Sequence, residues 1–292
     1  MWNSIEDYIT ENGDQPFKIQ QRSAVGGGCI NQAFLLEGNG QRFFIKLNHA
    51  DGLAMFEAEH AGLQAIRDTA TIAAPQPLCS GIAGGNAFLV MSVIDSAGST
   101  SNHAQLGEQL AAMHRKRFNY FGWQQDNTIG STPQPNPHYQ NWTDFWREQR
   151  LGYQLELAAQ KGFGDSLQME GVKLMDCFGG LFDGYTPQPS LLHGDLWSGN
   201  YCFDKDGAPV IFDPACYYGD READIAMTEL FGGFNNEFYR AYQNAYPLNS
   251  GYQIRKILYN LYHILNHLNL FGSGYLPQAQ QMIRQLLDEL SQ

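Results

Sequence analysis

One segment in the second half of the chain constrains the fold more than any other, because it sets polar side chains at fixed spacing beside two short apolar runs. It reads LLHGDLWSGN, so Asp195 follows the first apolar run and Asn200 comes five positions later. The next residues predict two short strands, Tyr201–Phe203 and Val210–Phe212, joined by an Asp- and Gly-rich turn that suits a hairpin. Asp213 closes the second strand.

This order of side chains is typical of a phosphoryl-transfer site. Asp195 in a loop can accept the proton of an attacking hydroxyl, and Asn200 can bind a metal ion from the far end of that loop. Asp213 can hold the metal on nucleotide phosphates, as the last Asp does in the protein-kinase order D-x-x-x-x-N, hairpin, Asp. Each residue alone is compatible with a cap or a turn, but all three in order favour a catalytic site.

The segments HGDLWSGN and FDPACYYGDREADIAMTELFGGF closely resemble the fructosamine kinase, or ketosamine-3-kinase, family. The resemblance runs from about residue 16 to about residue 276. That family belongs with aminoglycoside and choline kinases in the protein-kinase-like fold. The resemblance implies an α+β chain of two lobes, with a small antiparallel-sheet N-lobe at 1–93 and a mainly helical C-lobe at 94–292. It also implies ATP-dependent phosphorylation of a sugar hydroxyl, O3, on a ketoamine such as fructosamine or ribulosamine, in protein deglycation.

The N-terminal part of the chain holds candidate nucleotide-binding residues. A flexible turn with exposed amides, which can fold over phosphates, is predicted at Gly26, Gly27 and Gly28. Three glycines are a weak signal alone, but this turn lies two strands ahead of a strand lysine, Lys46. A lysine in a buried strand needs an anion. An edge lysine that reaches water is the alternative. The presence of Asp195, Asn200 and Asp213 favours a lysine that binds ATP phosphates.

The family resemblance implies further residues of the nucleotide site. Glu59, in the pattern E-x-x-G-L, is implied to orient the lysine, which leaves Glu57 as a surface charge. Kinase-like folds bind adenine through backbone groups where the last strand leaves the N-lobe. That hinge falls at Met91, Ser92 and Val93.

The C-terminal part holds residues that support or extend the site. By resemblance, Asp224 in D-I-A-M hydrogen-bonds the catalytic-loop backbone, and His193 supports the same loop. Trp197, two residues past the proposed base, can stack on the sugar or pack inside the loop, and both interpretations stay open. The segment Phe121–Asn136 has almost no periodicity, and long loops inside compact domains are usually functional. We expect this segment to line the sugar side of the cleft.

Composition narrows the class of partner. A formal net charge of −12 argues against nucleic acid or an anionic membrane as the main partner, and requires local cations and metal to attract ATP. Five cysteines without a C-x-x-C pair suit reduced thiols, and the N-terminus has no signal-peptide pattern. A cytoplasmic protein, monomeric or homodimeric, is therefore expected. His263 and His267 have a zinc-ligand spacing, but no third ligand follows nearby, which favours core or surface histidines.

Two other functions remain as alternatives. Other kinases of the same fold act on aminoglycosides, choline or other small alcohols. The acidic, aromatic-rich composition of this chain does not exclude such an acceptor. The signatures at Phe121–Asn136 and Tyr217–Phe234 favour a ketoamine, either free or on a glycated protein. A non-catalytic pseudokinase would lack the lysine, the base or a metal ligand, and all are present. The expected ligands are ATP and Mg²⁺, which prefers oxygen donors.

Cys29, in the glycine loop, raises a redox hypothesis. Local positive charge favours a thiolate, and its oxidation would obstruct nucleotide binding, for example by linking two chains. The alternative is an inert small residue.

Overall fold

The computed structural model of the protein describes residues 1–26, 31–96, 101–164 and 166–291. Gly26 is exposed within the first of these ranges. The nucleotide-binding hypothesis for Gly27 and Gly28 and the redox hypothesis for Cys29 concern residues that lie outside the described ranges.

A five-stranded antiparallel sheet dominates the N-terminal part of the chain. Its strands are β1 (Gln21–Val25), β2 (Gln32–Gly38), β3 (Gln41–His49), β4 (Pro77–Ala83) and β5 (Asn86–Ser92). Their spatial order is β1-β2-β3-β5-β4. Asn39 and Gly40 both have positive φ, 51° and 76°, which suits the tight turn between β2 and β3. The central position of β3 places Lys46 opposite Leu89 of β5.

Two apolar cores lie on opposite faces of this sheet, because successive strand residues point to opposite sides. On β5, Phe88 and Val90 belong to a small core that helix α1 (Trp2–Asn12) covers. Leu89 belongs to the main core, which includes one face of helix α2 (Leu53–Asp68) and continues into the C-terminal part. Helix α2 is therefore held between the sheet and the rest of the protein.

The remainder of the chain is mainly helical. Its helices are α3 (His103–His114), α4 (Trp142–Trp146), α5 (Tyr153–Gln160), α6 (Ser166–Cys177), α7 (Glu222–Leu230), α8 (Asn236–Ala245), α9 (Tyr252–Phe271) and α10 (Leu276–Leu290). A π-helical stretch, Arg147–Gly152, joins α4 to α5. Among the described residues, no helix has both the length and the apolar character needed to cross a bilayer.

Three small antiparallel pairs position the loops of the C-terminal part. They are β6 (Asn127–Ile129) with β7 (Thr132–Gln134), β8 (Ser190–Leu192) with β11 (Tyr217–Gly219), and β9 (Tyr201–Phe203) with β10 (Pro209–Ile211). The predicted hairpin after Asn200 is confirmed as β9–β10. The β8–β11 pairing returns the chain after Asp213 to the strand before Asp195. The segment Phe121–Asn136, predicted to be irregular, contains the β6–β7 hairpin.

Candidate active site

The Lys46 ammonium lies between two carboxylates. Its Nζ is 2.6 Å from Glu59 Oε1 and 2.7 Å from Asp213 Oδ1. Burial of the lysine would lower its pKa, but the negative charges of Glu59 and Asp213 outweigh that effect and raise the pKa above its ordinary value. The lysine therefore remains a cation at the centre of the site.

Helix α2 supplies Glu59 and is packed directly onto the segment that follows Asp213. Side chains two positions apart on a helix point in nearly opposite directions, so Glu59 is buried whereas Glu57 is exposed. A Cβ atom added to Gly62 would lie 3.2 Å from Cys216 Sγ. This close packing fixes the position of α2 relative to the segment after Asp213. It therefore also fixes the position of the Glu59 carboxylate relative to Asp213.

Asp195 and Asn200 contact each other within one loop. Asn200 Nδ2 donates to the backbone oxygen of Asp195 at 2.8 Å and to its Oδ2 at 3.2 Å. Burial raises the pKa of the Asp195 carboxyl to about 7, although the hydrogen bond from Asn200 opposes the shift. A carboxylate whose pKa lies near neutrality is suited to accept a proton from a substrate hydroxyl.

Oxygen atoms of Asn200 and Asp213 fit a magnesium ion. Asn200 Nδ2 is directed to Asp195 and lies 3.5 Å from the backbone oxygen of Asp213, and within the described chain Asn200 Oδ1 accepts no hydrogen bond. Asp213 Oδ1 contacts Lys46, which leaves Oδ2 available. The Asp213 side chain is 47% exposed, so it is accessible from solvent. Carboxylate and amide oxygens are the ligands that Mg²⁺ prefers.

Asp224, in the first turn of α7, holds the backbone of the catalytic loop. Its Oδ2 accepts from His193 N at 2.7 Å and its Oδ1 from Gly194 N at 2.8 Å. His114 Nε2 is 3.0 Å from Oδ2, and this buried histidine also contacts Tyr242. Burial would raise the pKa of Asp224, but His114, His193 and the Gly194 N–H together lower it.

The His193 ring joins the catalytic loop to the segment after β10 that carries Asp213. Its Nε2 lies 2.9 Å from the Phe212 carbonyl oxygen, and its Nδ1 accepts from Asp195 N at 3.3 Å. Burial lowers the pKa of His193. A neutral ring with its proton on Nε2 satisfies both contacts at once, so His193 fixes the distance between the two aspartates.

The remaining predicted residues lie at the edges of this cluster. Met91 and Ser92 end β5, and Val93 follows directly. The Ser92 amide and hydroxyl are both bonded to the Gln76 backbone, which orients the start of the hinge. Trp197 is 40% exposed, and its indole covers the Gly199 backbone. The ring is therefore packed against its own loop and open to solvent on the other side.

The structure brings five predicted residues into one bonded cluster: Lys46, Glu59, Asp195, Asn200 and Asp213. It adds polar residues that no sequence signal singled out. Asn127 and Gln134 of the β6–β7 hairpin donate to the backbone immediately after Asp213. Polar residues in an aperiodic segment whose partners are backbone carbonyls leave no pattern in a single sequence.

The family model for fructosamine kinase matches residues 1–289. The chain is 50% identical over 291 residues to a probable ketoamine kinase of Synechocystis sp. (strain ATCC 27184 / PCC 6803 / Kazusa), with 98% of this chain and 97% of the relative covered. It is 46% identical over 283 residues to the chloroplastic protein-ribulosamine 3-kinase of Arabidopsis thaliana, with 96% and 86% covered.

Solved structures show the same architecture. A candidate fructosamine-3-kinase from Haemophilus somnus 129PT matches with a TM-score of 0.89 and 31% identity over 98% of each chain. A mutant aminoglycoside phosphotransferase APH(4)-Ia, crystallised with AMP-PNP and hygromycin B, matches with a TM-score of 0.62 and 17% identity over 98% of each chain. At that identity the second match concerns the fold alone. The predicted α+β, protein-kinase-like fold is confirmed.

Proposed function

This chain belongs to the fructosamine kinase family, and from that membership we propose that it transfers the γ-phosphoryl group of ATP to O3 of a ketoamine sugar. It is a phosphotransferase that acts on a hydroxyl group, as its family and its relatives' names indicate. The observation that best supports the detailed proposal is the Lys46 ammonium within 2.7 Å of Asp213, beside an Asn200 that is bonded to Asp195.

We propose that the nucleotide lies between an N-lobe, 1–93, and a C-lobe, 94–292. The adenine would contact the backbone of the hinge, and the phosphates would lie under the glycine turn. The residues with these roles are Met91, Ser92 and Val93 for adenine, and Gly26, Gly27 and Gly28 for phosphates. Lys46 would bind the phosphate oxygens, held in place by Glu59. Because Lys46 is already cationic and is held by Glu59, it needs no change of protonation state to bind an anion.

Asp195 is the proposed base. The acceptor hydroxyl gives its proton to the Asp195 carboxylate as its oxygen bonds to the γ-phosphorus. The bond from that phosphorus to the β,γ-bridging oxygen breaks, and ADP leaves with the electron pair. Asp224 and His193 hold the loop and act through the position of Asp195. Most of the rate gain would come from positioning and charge neutralisation, as is usual for phosphoryl transfer.

Asn200 and Asp213 are the proposed metal ligands, through Oδ1 and Oδ2 respectively. When bound, Mg²⁺ would neutralise charge on the phosphate oxygens. Both side chains are already oriented by hydrogen bonds or an ion pair to neighbours, which lowers the cost of ordering them.

A ketoamine is the proposed acceptor, either on a small amine or on a glycated protein, with a role in deglycation. The names of the relatives, ketoamine kinase and protein-ribulosamine 3-kinase, support this class. The ketoamine nitrogen is cationic near neutral pH, and a chain of net charge −12 attracts cations. The same charge supports partners other than nucleic acid or membrane. A cytoplasmic location stays a proposal, supported by the cysteine pattern.

An acceptor panel tests this function. Purified protein with ATP and Mg²⁺ is offered fructosyl-lysine, ribulosyl-lysine, kanamycin and choline, and the phosphate position is determined by phosphorus–proton NMR. We expect phosphorylation of the ketoamines at O3, with Trp197→Ala weakening acceptor binding. The Asp195→Asn variant is the matched control and should lose turnover more than ATP affinity. A preference for kanamycin or choline, or wild-type turnover by Asp195→Asn, would contradict the proposal.

A further inference from the structure

The β6–β7 hairpin contacts the backbone directly after the proposed metal ligand. Asn127 Nδ2 donates to the carbonyl oxygen of Cys216 at 2.8 Å, and Gln134 Nε2 to that of Ala215 at 3.3 Å. We propose that Asn127 and Gln134 are positioning residues, which hold residues 213–216 (the metal loop) in the shape that presents the Asp213 carboxylate to metal and nucleotide. This inference rests on the proposed function.

The metal loop has a backbone that needs external support. Asp213 has a φ of 57°, in the left-handed region, which costs a non-glycine residue about 1–2 kcal/mol. Such conformations persist only where the surroundings fix them. Ala215 and Cys216 are buried, and strand β11 begins only at residue 217. Their carbonyl oxygens would be costly to leave unpaired, and the hairpin side chains bond both.

Each hairpin amide is locked in the orientation that faces the metal loop. Gln134 Oε1 accepts from the Tyr262 hydroxyl at 2.7 Å, and Gln134 Nε2 also donates to Asn127 Oδ1 at 2.8 Å. Asn127 Oδ1 accepts a second bond from Asn136 Nδ2 at 2.9 Å. Because both side-chain oxygens are taken as acceptors, both NH₂ groups must point to the loop carbonyls.

Arg150 holds the residues that follow β7, Pro135 and Asn136, at the end of the hairpin. Its guanidinium is buried, donates to Asn136 Oδ1 at 2.7 Å and to Pro135 O at 2.8 Å, and lies 4.2 Å from the centre of the Tyr217 ring. Within the described ranges it forms no ion pair with a carboxylate. The cation is instead solvated by carbonyl oxygens and aromatic faces. It thereby joins the hairpin to the residue that directly follows the metal loop.

The two loop carbonyls lie where the other parts of the site converge. Ala215 N donates to His193 O at 2.8 Å, and a Cβ atom on Gly194 would lie 2.1 Å from Ala215 O. Cys216 Sγ packs against Gly62 of α2. A shift of this backbone would therefore move the catalytic loop, the Glu59 helix and Asp213 together. The hairpin holds the point from which all three are positioned.

Two variants test the inference. Asn127→Asp keeps the acceptor oxygen and removes the donor to Cys216 O, and Gln134→Met keeps the length and removes both donors. With the intact protein we expect kcat to fall roughly tenfold, the cost of about one hydrogen bond to the loop. The Mg²⁺ concentration for half-maximal AMP-PNP binding should rise several-fold, while AMP-PNP affinity without Mg²⁺ changes less. Exchange of the backbone amides of residues 213 and 215–217 should accelerate in the ligand-free protein.

Gln168→Met is the matched control. Gln168 Nε2 also donates to two backbone carbonyls, those of Leu155 at 2.9 Å and Phe163 at 3.1 Å, but Gln168 lies in α6 and, within the described part of the chain, is hydrogen-bonded to no residue of the metal loop. It should lower thermal stability and leave Mg²⁺ dependence and loop exchange at wild-type values. If Asn127→Asp does not fold, Gln134→Met decides. If neither folds, Tyr262→Phe is the variant that tests the inference. It removes the hydroxyl group that holds Gln134 Oε1, so the Gln134 amide is no longer locked in orientation, and it keeps the Asn127 and Gln134 side-chain donors to the loop.

Folded variants with lower stability but unchanged Mg²⁺ dependence and loop exchange would overturn the inference. The nucleotide measurements need no acceptor, so they remain valid if the acceptor is not a ketoamine. A failure of the acceptor panel is therefore distinguishable from a failure of this proposal.

Discussion

At the residue scale, the site contains two aspartates whose surroundings suit them to different tasks. Burial desolvates the Asp195 carboxyl and raises its pKa to about 7. The Asp213 side chain is 47% exposed and forms an ion pair with Lys46. Pairs of like groups in unlike surroundings commonly divide acid–base and electrostatic roles. These surroundings fit the proposed roles of Asp195 as the base and of Asp213 as a metal ligand.

The raised pKa of Asp195 predicts a pH profile. The base must be deprotonated, so kcat/KM should fall as the pH drops below about 7, by up to tenfold per pH unit, and level off above it. The measurement is kcat/KM for the ketoamine at saturating Mg²⁺ between about pH 5 and about pH 9. The Asp195→Asn variant should show a low rate without this limb. A wild-type profile that stays flat down to the acid end would contradict the assignment.

Replacing Asp213 with Asn should separate activity from folding. The loss of a metal-ligand charge is expected to lower turnover by roughly 10³-fold, since metal coordination supplies several kcal/mol of transition-state stabilisation. The melting temperature should stay close to the wild-type value, because the side chain is half-exposed. Turnover during a Mg²⁺ titration, with circular dichroism as the folding control, measures both. Full turnover at high Mg²⁺ would argue against the role of Asp213.

At the element scale, regular patterns were predictable and contacts distant in sequence were not. Helix α9 follows its apolar periodicity, and β9–β10 forms around the predicted turn. A π-helical stretch, Arg147–Gly152, lies between α4 and α5, and Arg147 and Arg150 make tertiary contacts there that periodicity does not encode. The β6–β7 strands, three residues each, are too short to show alternation. Spacing predicted Asp195, Asn200 and Asp213, and resemblance implied Glu59. The aperiodicity of Phe121–Asn136 indicated a functional segment but no role for Asn127 within it.

The packing of α2 on the metal loop predicts a size limit at Gly62. Gly62→Leu should displace Cys216 and tilt α2, because the site has no room for a larger side chain. We expect a loss of about 1–3 kcal/mol in unfolding free energy and a rise in the KM for ATP as Glu59 moves from Lys46. Urea unfolding and ATP kinetics measure the two effects. Gly179→Leu, where an added Cβ meets nothing within 4 Å, is the control. An unchanged KM in Gly62→Leu would exclude coupling through α2.

At the scale of the whole molecule, the β9–β10 hairpin ties the N-terminal and C-terminal parts together. Lys205 N donates to Asp95 O at 2.7 Å, and Ile211 N to Ala73 O at 3.0 Å. Asp95 in turn forms an ion pair with Arg42 of β3. The hairpin that lies between the two proposed metal ligands in sequence is therefore bonded to Asp95, which pairs with the sheet, and to the segment between α2 and β4. We expect the sheet and this hairpin to move as one unit.

Buried histidine predicts acid sensitivity of the whole fold. Burial lowers the pKa of His263 to about 3 from an ordinary 6.5. Between these values the unfolded chain binds the extra proton, so stability is full above pH 6.5 and falls as the pH drops, by up to about 1.4 kcal/mol per unit. Urea unfolding of His263→Gln across this range should show a shallower acid loss than wild type. His267→Gln, in the same helix and only partly buried, should keep the wild-type slope. Equal slopes for all three proteins would contradict the prediction.

The bridge that Lys46 forms between Glu59 and Asp213 bears on which form of the nucleotide the cleft accepts. Without nucleotide, the charge of Lys46 is already neutralised by Glu59 and Asp213. An inorganic anion therefore has little electrostatic attraction to the lysine. In the proposed binding mode, the phosphates would draw Lys46 away from Asp213 and leave that carboxylate without a counterion. A nucleotide that carries a divalent cation would supply a new counterion for Asp213 in the same step. If nucleotide binds as proposed, this exchange of ionic partners would favour metal-bound over metal-free nucleotide, because it keeps the charges balanced.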